Sequence, residues 1–172
     1  MNQCINITMN LNDLISGRVF VDANIFLAEI LDEDTADVCA NFLQRISSGE
    51  LAGSTSLIVL NEVFHRTLIA DAIANYNIKG ELAVNYLKRK PEKLKKLTNA
   101  HTAIENILLI PNLEVIGSDT NSFKNALKIS MKYGLLSSDA WHVSLMLSNN
   151  IDNIATSDPD FRRVDKINVW KP

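Results

Sequence analysis

Four carboxylates in this 172-residue sequence stand where an acid can do more than solvate a surface. Asp22 closes the β-prone run Arg18-Val19-Phe20-Val21, and ligands of open α/β sheets bind at the carboxyl ends of strands. It could also cap the helix that follows it. Glu62 falls in a long apolar segment with Ile58, Val59 and Ile69 at i−4, i−3 and i+7. A carboxylate buried on such a face needs a charged partner or a metal. Arg66 at i+4 and His65 at i+3 are the candidate partners. Asp139 falls in the first turn of a helix that Ser137 or Ser138 would cap, where an acid also complements the helix dipole. Asp158 follows the short strand Ile154-Ala155-Thr156, with Asp160 two residues on. An Asx-type turn around Pro159 would explain it equally well.

Singly, each acid has an ordinary structural explanation. Together they place two carboxylates just past parallel strands, one at a helix start and one on an apolar helix face. Acids brought close together repel and raise one another's pKa. A hard divalent cation removes that repulsion, and a carboxylate set without cysteine suits magnesium. The chemistry such a site favours is hydrolysis at phosphorus by a metal-activated water.

These acids require a sheet to carry them. Arg18 to Val21 has the bulk of a buried parallel strand. Helices are predicted over Asn24 to Ile30 and from Asp34 or Thr35 to Ser48, the second stopped by Gly49. Glu50 to Thr55 reads as a strand, and Leu57 to Tyr76 as a long, deeply placed helix capped by Ser54, Thr55 or Ser56. Lys79 to Leu109 is helix-compatible but broken by Pro91, which predicts two helices. Leu113 to Ile116 is a strand, and Asp119 to Tyr133 an amphipathic helix closed by Gly134. A helix then runs from Ser137 or Ser138 to about Ser148. Ile154 to Thr156 is a strand, Pro159 to Val164 a turn, and Ile167 to Trp170 a last strand. Strands alternating with helices predict βαβ units and a parallel sheet.

The same residues resemble the motifs of PIN-domain ribonucleases. Val19-Phe20-Val21-Asp22-Ala23-Asn24-Ile25-Phe26 is similar to the opening motif of that family, and Ser56 with Glu62-Val63 to the second. Leu136-Ser137-Ser138-Asp139-Ala140-Trp141-His142 resembles the third, and Thr156-Ser157-Asp158-Pro159-Asp160-Phe161 the closing one. The four occur in order over roughly residues 18 to 170. The resemblance implies a three-layer α/β/α fold with a central, mostly parallel sheet. It also implies an acidic quartet of Asp22, Glu62, Asp139 and Asp158, in which Asp22, Asp139 and Asp158 bind Mg²⁺ or Mn²⁺. Asn24, Thr156 and Asp160 would be supporting polar groups. Many members are toxins of VapBC-type modules, so the resemblance implies an RNA substrate, a small antitoxin partner and a homodimer. Two features depart from the compact toxin pattern: an N-terminal extension over residues 1 to 17, and a longer helical middle segment over about 79 to 109. A single domain is expected over 18 to 172.

Rival chemistries lack parts. A haloacid-dehalogenase-like phosphatase would use Asp22 as nucleophile, but it wants an acid where Asn24 stands and a later Gly-Asp motif. A non-catalytic metal-binding receiver module would need no acid at Glu62. Glu62-x-x-His65 and Asp139-x-x-His142 mimic di-iron pairs, but that site requires a four-helix bundle, which the strand signals oppose. The histidines and Trp141 read as packing or orienting groups.

Composition bounds the rest. Seventeen Lys and Arg against 20 Asp and Glu give a net charge of −3, with 47% hydrophobic residues, as in ordinary globular proteins. Cys4 and Cys39 form no C-x-x-C pair, which argues against a disulfide framework or a cysteine zinc site. Residues 1 to 17 lack the features of a signal peptide, and the apolar window from Ser54 to Ala74 is interrupted by Asn61, Glu62, His65, Arg66 and Asp71. No membrane association and a cytoplasmic location are therefore expected. Residues 1 to 60 hold eight acids and two bases, and residues 61 to 172 twelve acids and fifteen bases. Lys88, Arg89, Lys90, Lys93, Lys95 and Lys96 crowd into nine residues. They form either a solvated helix face or a phosphate-tracking patch, with Lys88, Arg89, Lys90 and Lys93 as candidate RNA contacts.

Overall fold

A computed structural model describes residues 8–172 of the chain. Cys4 and the first seven residues of the predicted extension lie outside the described residues. Among the described residues, six strands form one sheet: β1 (Met9–Asn10), β2 (Arg18–Val21), β3 (Ala52–Ser56), β4 (Leu113–Ile116), β5 (Asn153–Ala155) and β6 (Asn168–Lys171). Their order is β1-β6-β5-β2-β3-β4, and every pairing is parallel. Parallel neighbours require crossovers, which helices supply: α1 (Ala23–Ile30), α2 (Ala36–Ser47), α3 (Leu57–Tyr76), α4 (Gly80–Arg89), α5 (Pro91–Leu94), α6 (Asn99–Leu108), α7 (Thr120–Tyr133) and α8 (Ser137–Ser148). Crossovers from β2 through β4 advance across the sheet with α1 to α6, whereas α7 and α8 lead back to β5 on the other side of β2. Right-handed connections then put the two helix groups on opposite faces, giving three layers.

β2 is the middle of this arrangement. Phe20 pairs with Ser54 of β3 on one side and Ile154 of β5 on the other. Val19, Phe20 and Val21 are all fully buried, as their unbroken apolar run predicts for a strand covered on both faces. β3 instead uses small residues. A Cβ on Gly53 would lie 2.8 Å from Ile46 Cγ2 and 2.9 Å from Leu113 Cδ1, so only glycine lets α2 pack this closely on the strand. β3 begins at Ala52, not at Glu50, because the backbone amides of Glu50 and Leu51 bond back to the Arg45 carbonyl and close α2.

Two further departures have local causes. Residues 9–14 join the structure: β1 extends the sheet beside β6, and Leu11 and Leu14 are buried in the core. The segment after α3 forms three helices where two were predicted, since Pro91 both ends α4 and starts the separate turn α5, for which its fixed φ is suited. Leu87 and Leu97 meet Ala72 of α3 in a second, smaller core beneath that segment. Among the described residues, no helix is long and apolar enough to cross a membrane.

Candidate functional site

β2 is followed by a crossover to one side and β5 arrives from the other, so the crevice between their carboxyl ends is the switch point of the sheet. Both chains turn there under backbone control. The Asp22 amide donates to the Ala155 carbonyl at 3.1 Å, and the Thr156 amide to the Trp170 carbonyl at 2.9 Å. Asp22 is 6% exposed and serves as a helix cap: its Oδ1 accepts from the Ala23 amide at 2.7 Å. Its Oδ2 faces β5, accepting from Thr156 Oγ1 at 2.6 Å and Asn24 Nδ2 at 2.7 Å. One carboxylate oxygen thus caps the helix while the other is held by the two polar side chains at the strand ends.

Asn24 and Thr156 knit the two strand ends together. Asn24 Nδ2 also donates to Thr156 Oγ1 at 3.0 Å, and Asn24 Oδ1 accepts from the Ser157 amide at 2.9 Å. Thr156 Oγ1 in turn accepts from the Asp158 amide at 3.0 Å. Asp158 Oδ1 accepts from the Asp160 amide at 2.8 Å, which forms the Asx turn that Pro159 suggests. Asp160 is not free: Arg163 Nη2 holds its Oδ1 at 2.8 Å, while Arg163 Nη1 reaches the Gly134 carbonyl at 2.8 Å. Arg163 therefore ties the loop after β5 to the turn before α8. The sequence reading misses this residue, although an acid and an arginine at i,i+3 in Asp160-x-x-Arg163 are a legible signal.

Asp139 approaches from the opposite helix layer. α8 starts at Ser137 with Leu136 as its N-cap, not at a serine cap. Leu135 is drawn into the core and Leu136 takes the extended conformation, so the helix begins before either serine can cap it. No side chain satisfies the first amides, which leaves them to solvent or ligand. Half-buried Asp139 has its carboxyl pushed up to about 6 by burial first, then by the charges of Asp158, Asp22, Asp160 and Glu62. All four of these neighbours are acids. Burial and Asp22 also raise Glu62, against the pull of Arg66.

Glu62 differs from expectation. Its side chain is 41% exposed, because the buried stripe of α3 runs through Val59, Leu60, Val63 and Thr67 and leaves Glu62 at its margin. Arg66 Nη1 lies 4.0 Å from its Oε1, an ion pair too exposed to neutralise it. His65 is exposed, whereas His142 is 1% exposed with its ring 5.5 Å from that of Phe20. Burial pushes the His142 pKa down against the pull of Asp22. One histidine facing solvent and one in the core cannot form a bridging pair, and the parallel sheet excludes the bundle such a pair requires.

The acids thus share one electrostatic neighbourhood, in which Arg163 pairs with Asp160, Arg66 stands near Glu62, and only acids bear on Asp139. Among the described residues, no three His, Cys, Asp or Glu side chains converge closely enough to grip an ion as they stand. The donor set itself, hard oxygens in mutual repulsion, fits a hard divalent cation that keeps several waters. The basic residues lie elsewhere. Lys93 Nζ sits 5.0 Å above the Tyr76 ring and Lys90 Nζ 4.9 Å above Tyr86, at the end of α3 remote from Glu62. A cleft of about 430 Å³ between α1, α2 and α6, lined by Phe26, Ile30, Leu43 and Ile107, holds none of the four carboxylates.

The sequence matches the PIN domain family over residues 19–167. No curated protein matches it. Two solved structures share the fold at 16% identity. VapBC2 from Rickettsia felis, bound to a DNA fragment from its promoter, aligns over 90% of this chain and 98% of its own with a TM-score of 0.60. VapC20 from Mycobacterium tuberculosis, a toxin that cleaves the sarcin-ricin loop, aligns over 88% of this chain and 98% of its own with a TM-score of 0.55.

Proposed function

This chain belongs to the PIN domain family, and from that premise we propose that it is a divalent-metal-dependent endoribonuclease acting in the cytoplasm. The observation that carries the reading is the state of Asp139, pushed up to about 6 by burial and four surrounding acids at the switch point of the sheet. A carboxyl perturbed by burial and neighbouring acids in a crevice marks a functional site, and such a cluster suits a cation. Membership of this family sets aside the phosphatase and receiver alternatives.

Asp22, Asp139 and Asp158 would hold Mg²⁺ or Mn²⁺, directly or through water. The cation, when bound, supplies Lewis-acid stabilisation of the charge developing at phosphorus and on the leaving oxygen. Asn24 and Thr156 fix the Asp22 carboxylate through its Oδ2, so that acid enters the reaction already oriented. Glu62, 41% exposed and with its pKa raised by burial and Asp22, would orient the attacking water and accept its proton. Attack in line with the leaving oxygen gives a 5′-phosphate and a 3′-hydroxyl. The likeness to VapBC2 supports a place in a toxin–antitoxin module, with a small antitoxin protein as partner.

The test is the chemistry of the products. Purified protein incubated with an end-labelled RNA should cut it in Mg²⁺ or Mn²⁺, stop in EDTA, and leave 3′-hydroxyl ends. Cleavage that persists in EDTA, or that leaves a 2′,3′-cyclic phosphate, would overturn the reading.

A further inference from the structure

The geometry points to a second RNA contact on this chain: a phosphate-binding arm made by α4 and α5, which grips the same strand several nucleotides from the scissile bond. The inference rests on the ribonuclease reading above. Residues 88 to 96 hold six bases and one acid, Glu92. Among the described residues, none of the six makes an ion pair. A charge run of this kind on a mobile helix would be a solvated face, but here it is held in place. Leu87 and Leu97, at either end of the run, are buried against Ala72 of α3. Tyr76 Oη donates to the Lys93 carbonyl at 2.9 Å, and Lys93 and Lys90 stack on the rings of Tyr76 and Tyr86. Lys88, Arg89, Lys95 and Lys96 remain exposed, on both sides of the Pro91 corner.

α3 sets the distance. It carries Glu62 near its start and Tyr76 at its end, fourteen residues later, or about 21 Å at the helical rise of 1.5 Å per residue. At about 3.4 Å per phosphate of a stacked strand, that separation corresponds to about six nucleotides. Arg66, one turn beyond Glu62 and 47% exposed, lies at the start of this path. Six unpaired cations held within nine residues beside the end of α3 suit a polyanion, which a nucleic-acid backbone is.

The test is binding, measured without metal so that no cleavage is needed. Fluorescence anisotropy would follow labelled oligouridylates of four and twelve nucleotides on the full chain in EDTA across a range of salt. The twelve-nucleotide strand should bind the wild type more tightly than the shorter one. Lys88→Gln/Arg89→Gln/Lys90→Gln should abolish that advantage and lower the slope of log affinity against log salt by about 2, at roughly 0.7 per phosphate contact. Lys95→Gln/Lys96→Gln, on exposed positions beyond the corner, should lower it by about 1.4 on the same basis. Unchanged affinity and slope in both variants, or equal binding of the two strands by the wild type, would overturn the arm. Equally tight binding of a polyglutamate of matched charge would overturn it in favour of an acidic protein segment. Length-dependent binding by a protein that cuts no RNA would leave the arm standing and remove the ribonuclease reading alone.

Discussion

Asp139 carries the electrostatic signature of the site, and its pKa has a thermodynamic consequence. An ordinary aspartate titrates near 3.8, and this one near 6 in the folded, metal-free protein. The folded state therefore binds its proton more tightly than the unfolded state does. The resulting penalty is absent below about pH 3.8, grows between the two values, and is complete above about pH 6. Glu62, raised for similar reasons, adds to the trend in the same direction. The melting temperature of the metal-free protein should accordingly fall as pH rises from about 4 to 7, and Asp139→Asn should flatten that fall. Mg²⁺ should restore the lost stability above about pH 6 and do little near pH 4, where the carboxyl is protonated. Thermal melts with and without Asp139→Asn check this, and an identical pH dependence in both proteins would contradict it.

The elements that deliver these acids were unequally legible. β2 declared itself through an unbroken apolar run ending at an acid, and its burial on both faces follows from the same run. β5 and Asp158 were visible because a strand, a threonine and an Asp-Pro turn occur in series. The pattern puts Glu62 on the right helix but implies deeper burial than its 41% exposure. Apolar residues around most of α3 suggest burial on every side, whereas tertiary packing fully covers one face, through Val59, Leu60, Val63 and Thr67, and leaves Glu62 at its edge. β1 was missed because two residues give no periodicity, and its pairing with β6 is settled by packing of distant chain. The serine caps of α8 failed for a related reason: burial of Leu135 fixes where the chain turns. Arg163 belongs to this scale, since it joins two elements by bonding Asp160 and the Gly134 carbonyl. Gly134 itself turns with φ 66°, a conformation that glycine adopts without strain. Arg163→Ala should leave the fold intact and loosen the approach of Asp158 to Asp139, lowering Mn²⁺ affinity by about tenfold. Calorimetric titration of the variant tests it, and wild-type affinity would show that the tie does not position the acids.

Taken as a whole, the molecule separates its charge. The net value of −3 conceals an acidic first third and a slightly basic remainder, with four acids around the sheet crevice and a cluster of cations on α4 and α5 beside the far end of α3. Net charge alone would suggest a protein that avoids nucleic acid; the placement of the charges supports the opposite. Membership of the PIN domain family and the three-layer fold agree with that placement. The most direct measurement compares RNA cleavage by purified wild type and Asp22→Asn under identical Mg²⁺ conditions, with circular dichroism on both. The expected result is loss of cleavage by about 10³-fold or more in the variant, with an unchanged spectrum, because the fold is kept while the crevice loses a carboxylate charge proposed to hold the metal. Wild-type cleavage by Asp22→Asn would contradict the assignment of this crevice as the site of RNA hydrolysis.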